Sequence, residues 1–302
     1  NISAVVCHMP YLPNLSSPKD DLHNMSIVSL ASELERCNKL GIDYVVTHIG
    51  SHLGSGLEQG LNRVVKACNT AMSDSANNTM IILENTAGTK NNVGSKFEEL
   101  KYIFDNVNDK SRIGFCFDTC HAFAAGYDLS TSKSVIDTLK KFDQIIGLKY
   151  LKVVHLNDSK GELGNGLDRH QHIGRGFIGE NGFRELLKNS TIKQLPLILE
   201  TPIDETFDDE YNINKIHEKL QSYLEKYDTS FDGVYFCPHI PSENCECRKP
   251  KPGLIVQAVT DFQIDLSQSY MIGDSETDIQ AARNAGCKGI LLKENKNVLI
   301  YS

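Results

Sequence analysis

The chain has 302 residues, of which 40% are apolar and 23% are charged, an ordinary composition for a globular protein. No apolar run approaches the roughly 18 residues of a membrane span, and the net charge of −8 argues against a partner that needs a basic surface, such as nucleic acid. Because no signal-peptide pattern opens the sequence and its nine cysteines form no disulfide-like framework, we expect a reduced, cytoplasmic protein. We also expect a monomer.

Residues 1–227 repeat one unit, a short apolar strand followed by a loop and an amphipathic helix. The predicted strands are Ile2–Cys7, Tyr44–Thr47, Met80–Leu83, Gly114–Phe117, Leu151–Val154 and Leu197–Leu199. The predicted helices are Met25–Leu40, Leu57–Ala76, Ser95–Asn106, Ser134–Gly147, Asn181–Lys188 and Tyr211–Lys226. Such alternation predicts a parallel sheet with right-handed crossovers.

A potential metal ligand follows the end of every predicted strand. Histidine, aspartate and glutamate together make up roughly one residue in seven, so six matches in six strands are not expected by chance. In a (β/α)8 barrel the carboxyl ends of the strands meet at the face where active sites form. The six residues are His8, His48, Glu84, Asp118, His155 and Glu200.

Three further candidates lie in the following loops: His121, Asp168 and His170. Taken alone, Asp118 could instead cap the next helix, with His121 in a polar rim. Nine oxygen and nitrogen donors without a thiolate suit Zn or Mn in an open catalytic site, and nine donors predict three ions. Three divalent ions would outweigh the four carboxylates and attract a phosphodiester to an acidic protein.

The remaining histidines of this part have weaker assignments. His52 and His172 are candidates for contacts behind the metal ligands or to phosphate, with a purely structural role as the alternative. His23 and His217 are predicted to lie on the surface.

The motifs around these residues resemble the endonuclease IV family, the zinc-dependent apurinic/apyrimidinic endonucleases of base-excision repair. The resemblance covers residues 2–203 and is carried by HIGSHLGSG, ILENTAG, FDTCHAFAAGYDL, VVHLNDSKGELGNGLDRHQHIGRGFIG and PLILETP. It implies a (β/α)8 TIM-type barrel with a trinuclear zinc site. The implied ligands are His8, His48 and the bridging Glu84 for one ion, Glu84, Asp118, His155 and Glu200 for a second, and His121, Asp168 and His170 for a third.

The resemblance also implies the reaction, hydrolysis of the phosphodiester 5′ to an abasic site in double-stranded DNA, with Glu84 central to catalysis. Metal makes hydroxide available at neutral pH, in agreement with the ligand types. Tyr11 and Leu12 match the place where the family pushes side chains into the lesion, although they could instead be core residues of a loop. We expect no membrane partner.

Six strand–helix units are fewer than the eight of a closed barrel. We therefore expect that this barrel lacks its first two units, which would precede Asn1, together with a DNA-recognition loop. Two unpaired sheet edges would remain. The expected consequence is weak activity or marginal stability.

A second pattern begins near residue 228. A strand is predicted at Phe231–Phe236, a helix at Leu254–Phe262, a strand at Ser269–Ile272 and a helix at Thr277–Ala285. Between them, three cysteines and one histidine fall within eleven residues, which predicts a closed structural zinc site. Its ligands would be Cys237, His239, Cys245 and Cys247.

Residues 230–293 resemble the haloacid-dehalogenase (HAD)-type phosphatases that act on histidinol phosphate or heptose bisphosphate. The resemblance implies that Lys249 steadies a phosphoryl group, that Asp274 binds Mg²⁺ and that Asp278 supports it. The DxDGT motif that supplies the nucleophile of these enzymes does not occur in the sequence. We therefore predict that residues 228–302 are the C-terminal half of a HAD-like α/β domain, attached to a barrel domain of residues 1–227.

Three alternatives to an abasic-site endonuclease remain open. A metal-dependent sugar isomerase or epimerase would use a similar barrel with one or two ions. A catalytically impaired metal- or DNA-binding remnant would bind abasic DNA without turnover. A fragment with histidinol-phosphate phosphatase activity would release phosphate in a reaction that Mg²⁺ stimulates.

Overall fold

The computed structural model of the protein describes residues 5–75, 77–202, 215, 232–233, 235–237, 239, 244–273, 275–292 and 298–301. The chain divides into two compact units that part at residue 216. The domain boundary predicted at residue 227 lies outside the described residues and stays a prediction.

The first unit alternates strands and helices as predicted. Its strands are β1 (Val6–His8), β2 (Tyr44–His48), β3 (Met80–Glu84), β4 (Ile113–Asp118), β5 (Leu151–His155), β6 (Asp158–Ser159), β7 (His170–Gln171) and β8 (Leu197–Ile198). Its helices are α1 (Asp20–Leu40), α2 (Leu57–Asp74), α3 (Phe97–Asn106), α4 (Thr119–Ala124), α5 (Ser132–Ile145) and α6 (Gly179–Leu186).

Six of these strands form one parallel sheet in the order β1-β2-β3-β4-β5-β8. Within the described residues the sheet is open, since β1 pairs only with β2 and β8 only with β5. The short strands β6 and β7 make a separate antiparallel hairpin, which the sequence analysis did not predict. The predicted helix Tyr211–Lys226 lies outside the described residues, apart from the helical Lys215.

The sheet has two different faces because successive side chains of a strand point to opposite sides. One face packs against the helices through a large apolar cluster that includes Val45, Ile81 and Phe115. The opposite, inner face carries a small cluster of Val46, Ile82, Cys116 and Val153. Each of these four residues lies two positions before a predicted metal ligand, so the ligands continue the inner face to the carboxyl end of the sheet.

Helix α1 shows how the outer layer is fixed. Asp20 and Asp21 lie in its first turn, where the helix dipole favours negative charge, and Gly41 ends it in the left-handed conformation with φ 70°. The prediction that His23 lies on the surface is wrong. His23 is buried on this helix, and its Nε2–H donates to the Arg63 carbonyl at 3.0 Å, because α1 packs against α2. His217 lies outside the described residues.

The second unit contains α7 (Gly253–Phe262), β9 (Tyr270–Gly273), α8 (Glu276–Ala285), β10 (Lys288–Leu292) and β11 (Val298–Tyr301). Strand β10 lies in the middle of this sheet, parallel to β9 and antiparallel to β11. The described residues of the predicted strand Phe231–Phe236 are not in a strand. Throughout the described part of the chain, no helix combines the length and apolar character needed to cross a membrane.

Candidate metal centre

Glu84 lies at the centre of the predicted ligand cluster. Its carboxylate is 1% exposed, and its two oxygens face different histidines. Oε2 lies 3.2 Å from His8 Nε2 and 3.3 Å from His48 Nε2. Oε1 lies 3.0 Å from His155 Nδ1 and 3.4 Å from His121 Nδ1. The carboxylate therefore spans two neighbouring groups of imidazoles, which is the position of a bridging ligand.

A second group of donors surrounds His155. Its Nδ1 lies 3.1 Å from Glu200 Oε2 and 3.9 Å from Asp118 Oδ2. A tetrahedral ion bound at about 2.1 Å holds its donors roughly 3.4 Å apart, which is close to these separations. Three carboxylates, those of Glu84, Glu200 and Asp118, thus lie within 3.0 to 3.9 Å of the same His155 nitrogen.

A third group lies on α4 and the β6–β7 hairpin. His121 Nε2 lies 3.1 Å from Asp168 Oδ1, and His170 Nε2 lies 3.5 Å from the same oxygen. Asp118 Oδ2 lies 3.8 Å from His170 Nε2, so the third group adjoins the second. The structure therefore brings all nine predicted residues into one continuous cluster.

Backbone carbonyls fix the orientation of three imidazoles. Because a carbonyl can only accept, Nδ1–H of His8 donates to the Met9 carbonyl at 2.7 Å, that of His121 to Asn85 at 2.9 Å and that of His170 to Glu200 at 2.9 Å. In the neutral imidazole, each Nε2 then carries the lone pair that a metal ion would accept. This is the tautomer that a metal-ligating histidine requires.

The donor set fits bound zinc. Nε2 of His121 and Nε2 of His170 are buried and make no hydrogen bond within the described structure, although a carboxylate oxygen lies beside each. Buried nitrogens of this kind are costly unless another partner satisfies them, and a shared cation would do so. The nitrogen and oxygen donors are those that Zn²⁺ takes in catalytic sites.

The charge state of the carboxylates also suits a cation. Burial disfavours the anion of Glu84, but the surrounding imidazoles of His121, His155 and His8 outweigh it and hold the pKa of Glu84 well below its usual range. Burial likewise opposes ionisation of Glu200, and the hydrogen bond from His155 lowers its pKa nonetheless. Both groups are therefore anionic at neutral pH. Burial lowers the pKa of His48, which favours the neutral imidazole that binds metal.

Two asparagines that the sequence analysis missed orient these ligands. Asn157 is buried; its Nδ2 donates to Asp118 Oδ2 at 2.6 Å, and its Oδ1 accepts from the Glu200 backbone N–H at 2.8 Å. Asn85 Oδ1 accepts from the Asp118 N–H at 2.8 Å. Asn85 lies one residue after Glu84 in the ILENTAG motif, and Asn157 lies two residues after His155 in the HLNDSKG motif. This closeness to a ligand is the sequence feature that could have identified them.

Asp118 combines the two roles that the sequence analysis treated as alternatives. Its Oδ1 accepts from the His121 N–H at 2.7 Å, so the side chain caps α4. Its Oδ2 faces His155 and His170. The helix cap therefore sets the direction in which His121 points.

Two exposed side chains lie at the rim of the cluster. Tyr11 is 80% and Leu12 91% exposed, so the alternative that they are core residues is wrong. The Tyr11 ring centre lies 5.7 Å from that of His48. His52 makes hydrogen bonds within its own loop, where its Nδ1 accepts from the Gly54 and Gly56 N–H groups at 3.2 Å.

The second unit brings together the four predicted ligands of its zinc site. Cys247 Sγ lies 3.3 Å from both Cys237 Sγ and Cys245 Sγ, and 3.1 Å from His239 Nδ1. This spacing and three thiols with one imidazole fit a closed structural zinc site. Occupancy by zinc stays a prediction.

The predicted phosphatase residues are only partly described. Lys249 Nζ lies 2.5 Å from Asp278 Oδ1, and Asp278 is buried. Asp274 lies outside the described residues, so the predicted magnesium site is untested.

Comparison with known proteins gives consistent matches for the first unit. A family model described as a xylose isomerase-like TIM barrel matches residues 1–227, and one described as HAD-hydrolase-like matches residues 246–297. The probable endonuclease 4 of Methanoculleus marisnigri is 54% identical over 218 residues, which cover 72% of this chain and 77% of that protein. Apurinic-apyrimidinic endonuclease 1 of Plasmodium falciparum is 42% identical over 222 residues, 74% of this chain and 37% of that protein.

The fold agrees with a solved structure. The crystal structure of endonuclease IV from Thermus thermophilus matches with a TM-score of 0.64 and 35% identity, over 72% of this chain and 76% of that one.

Proposed function

This chain belongs to the endonuclease IV family of xylose isomerase-like TIM barrels, as its motifs predicted, and we propose that it cuts DNA 5′ to abasic sites with a trinuclear zinc centre. The nuclease class agrees with the names of its relatives. The observation that carries the proposal is the single cluster of nine donors in which Glu84 faces two groups of histidines.

The proposed ligand sets follow the three groups of donors. His8, His48 and Glu84 would hold one ion, Glu84, Asp118, His155 and Glu200 a second, and His121, Asp168 and His170 a third. Zinc bound there supplies Lewis acidity and lowers the pKa of a water molecule. Three ions against four carboxylates leave a formal charge of about +2, which attracts a phosphate to a protein of net charge −8.

The protein's own groups would hold the scissile phosphate and the lesion in place. The inner face of the sheet is filled by Val46, Ile82, Cys116 and Val153, so the phosphate is confined to the carboxyl end. Tyr11 and Leu12 are exposed in the loop after β1, and the Tyr11 ring lies beside His48. An aromatic and an aliphatic tip there can enter the gap left by a missing base. Double-stranded DNA with an abasic site is therefore the proposed partner.

The alternative of a sugar isomerase predicts one or two ions in the barrel rather than three. An inactive remnant predicts binding of abasic DNA without cutting. Phosphatase activity in the second unit would require a nucleophile that the DxDGT motif supplies in other enzymes, and the sequence lacks that motif.

The proposal is tested by nicking of a duplex that carries one tetrahydrofuran abasic analogue, with the undamaged duplex as substrate control. The full chain is stripped with chelator and then reconstituted with zinc. The proposal predicts zinc-dependent cutting 5′ to the analogue alone. Equal cutting of both duplexes, or no cutting by protein that has regained its zinc, would contradict it.

A further inference from the structure

Asp158 is a buried carboxylate that belongs to none of the three donor groups. It lies in β6, directly after Asn157, and its side chain is 0% exposed. A buried carboxylate is costly unless its oxygens are satisfied, so its partners indicate what it does.

Five backbone N–H groups surround this carboxylate. Oδ1 accepts from Ser159 at 2.8 Å and from Ile178 at 3.0 Å, with Gly179 at 3.3 Å. Oδ2 accepts from Gly174 at 2.9 Å and from Gly176 at 3.0 Å. Four of these donors lie in residues 174–179, which comprise the loop after β7 and Gly179, the first residue of α6. The loop is therefore wrapped around one anion.

The same loop can approach so closely only because it contains glycine. A Cβ at Gly176 would lie 2.3 Å from the Ser159 carbonyl oxygen and 2.5 Å from Asp158 Oδ1. Gly174 has φ +80°, which a larger residue rarely adopts. The GRG segment at 174–176 is thus shaped to bring its N–H groups to Asp158.

This arrangement connects to the third group of metal ligands. Strand β6 pairs with β7, with Asp158 opposite Gln171 and Ser159 opposite His170. The Phe177 N–H donates to the Ser159 carbonyl at 2.9 Å, so the loop closes on the same hairpin. Asp168 and His170 belong to this hairpin, whereas the ligands of the other two groups lie on strands of the large sheet or, for Glu200, just after one. The third group is therefore the one with ligands on the hairpin itself.

We infer that Asp158 is a positioning residue for the third metal ion, because it fixes the hairpin that carries Asp168 and His170. The inference rests on the proposed function, since it requires three ions in the barrel. Asp158 does not contact the ion. Its carboxylate accepts hydrogen bonds from the loop after β7, that loop is hydrogen-bonded to the hairpin, and the hairpin sets the separation between His170 and Asp168.

The test is Asp158→Asn in the full chain, which keeps the shape of the side chain and replaces one acceptor oxygen with a donor that faces N–H groups. Zinc is counted by mass spectrometry after gel filtration. The wild type is expected to hold four equivalents, three in the barrel and one at the cysteines. Asp158→Asn is expected to hold three, and in a Cys245→Ser background the expected change is from three to two.

Asp128→Asn is the matched control. Asp128 also accepts from a loop N–H, that of Ser130 at 2.8 Å, but it lies outside the hairpin. This variant is expected to keep all four equivalents.

Two outcomes overturn the inference: a folded Asp158→Asn variant that keeps four equivalents, or one that loses all the barrel zinc together. If Asp158→Asn does not fold, Gly176→Ala is measured in its place. This variant disturbs the hydrogen bonds between the loop and Asp158 but keeps the Asp158 carboxylate. Retention of four zinc equivalents by Gly176→Ala overturns the inference. A wild type with fewer than three barrel ions contradicts the proposed function instead.

Discussion

Asn157 donates a hydrogen bond to Asp118 at 2.6 Å and connects two elements of the metal centre. The same amide accepts from the Glu200 N–H, so one side chain sets the ends of β4 and β8 relative to each other. Two proposed ligands of one ion thereby share a single orienting group.

The first prediction concerns this amide. Asn157→Ala is expected to lower zinc affinity or nicking rate by about 10- to 100-fold, the usual cost of losing a group that orients a metal ligand. Competition with a chromophoric zinc chelator measures the affinity. Asn69 lies on α2, a helix that carries none of the nine ligands, and Asn69→Ala, which removes an acceptor for the Asn108 N–H, is expected to change neither quantity. Equal behaviour of the two variants would refute the role of Asn157.

The second prediction concerns the bridge. Glu84→Gln removes the charge shared by two donor groups and keeps the side-chain volume, so most turnover and at least one zinc ion should be lost. Single-turnover nicking and zinc content measure these effects. The exposed Glu98→Gln serves as control. Unchanged nicking by Glu84→Gln would contradict the assignment of Glu84 as a bridging ligand.

The ligands could be predicted from sequence because a residue at the carboxyl end of a parallel strand has a position set by the sheet alone. His48 and Glu84, at matched positions of β2 and β3, show this directly. The orienting residues could not be predicted in the same way. Asn157 and Asp158 act through hydrogen bonds to residues distant in sequence, Asn157 to Asp118 and Glu200 and Asp158 to the loop after β7. His23 was assigned wrongly because its burial depends on α2, which no local pattern around it reveals.

The third prediction separates the two units. Cys245→Ser should abolish zinc binding in the second unit, because it removes one of the four proposed ligands. Burial opposes ionisation of Cys245, but the neighbouring thiols of Cys247 and Cys237 outweigh this effect and lower the pKa of Cys245 to about 7. Barrel zinc and abasic-site nicking should stay at wild-type levels, since no barrel ligand lies in that unit. Loss of nicking in this variant would show that the units are not independent.

The fourth prediction concerns the exposed tips. Tyr11→Ala should weaken binding to abasic duplex relative to undamaged duplex by about 1–3 kcal/mol, roughly 5- to 150-fold, by loss of aromatic stacking in the lesion. Leu12→Ala should weaken it in the same direction by loss of an apolar contact. Fluorescence anisotropy measures both affinities. Zinc content should not change. Leu40→Ala is the matched control, since the Leu40 side chain is 74% exposed at the end of α1. An equal loss of affinity for abasic duplex in this control would show that the effect is not specific to Tyr11 and Leu12.

If one cluster of nine donors holds three zinc ions around Glu84, anomalous diffraction at the zinc edge will locate each ion in crystals of the full chain grown with zinc. Three peaks are expected at the carboxyl end of the large sheet, two of them bridged by Glu84, and a separate peak among Cys237, His239, Cys245 and Cys247. Only one or two peaks in the barrel would contradict this assignment. It would also be contradicted if Glu84 failed to contact either of the two ions that it is proposed to bridge.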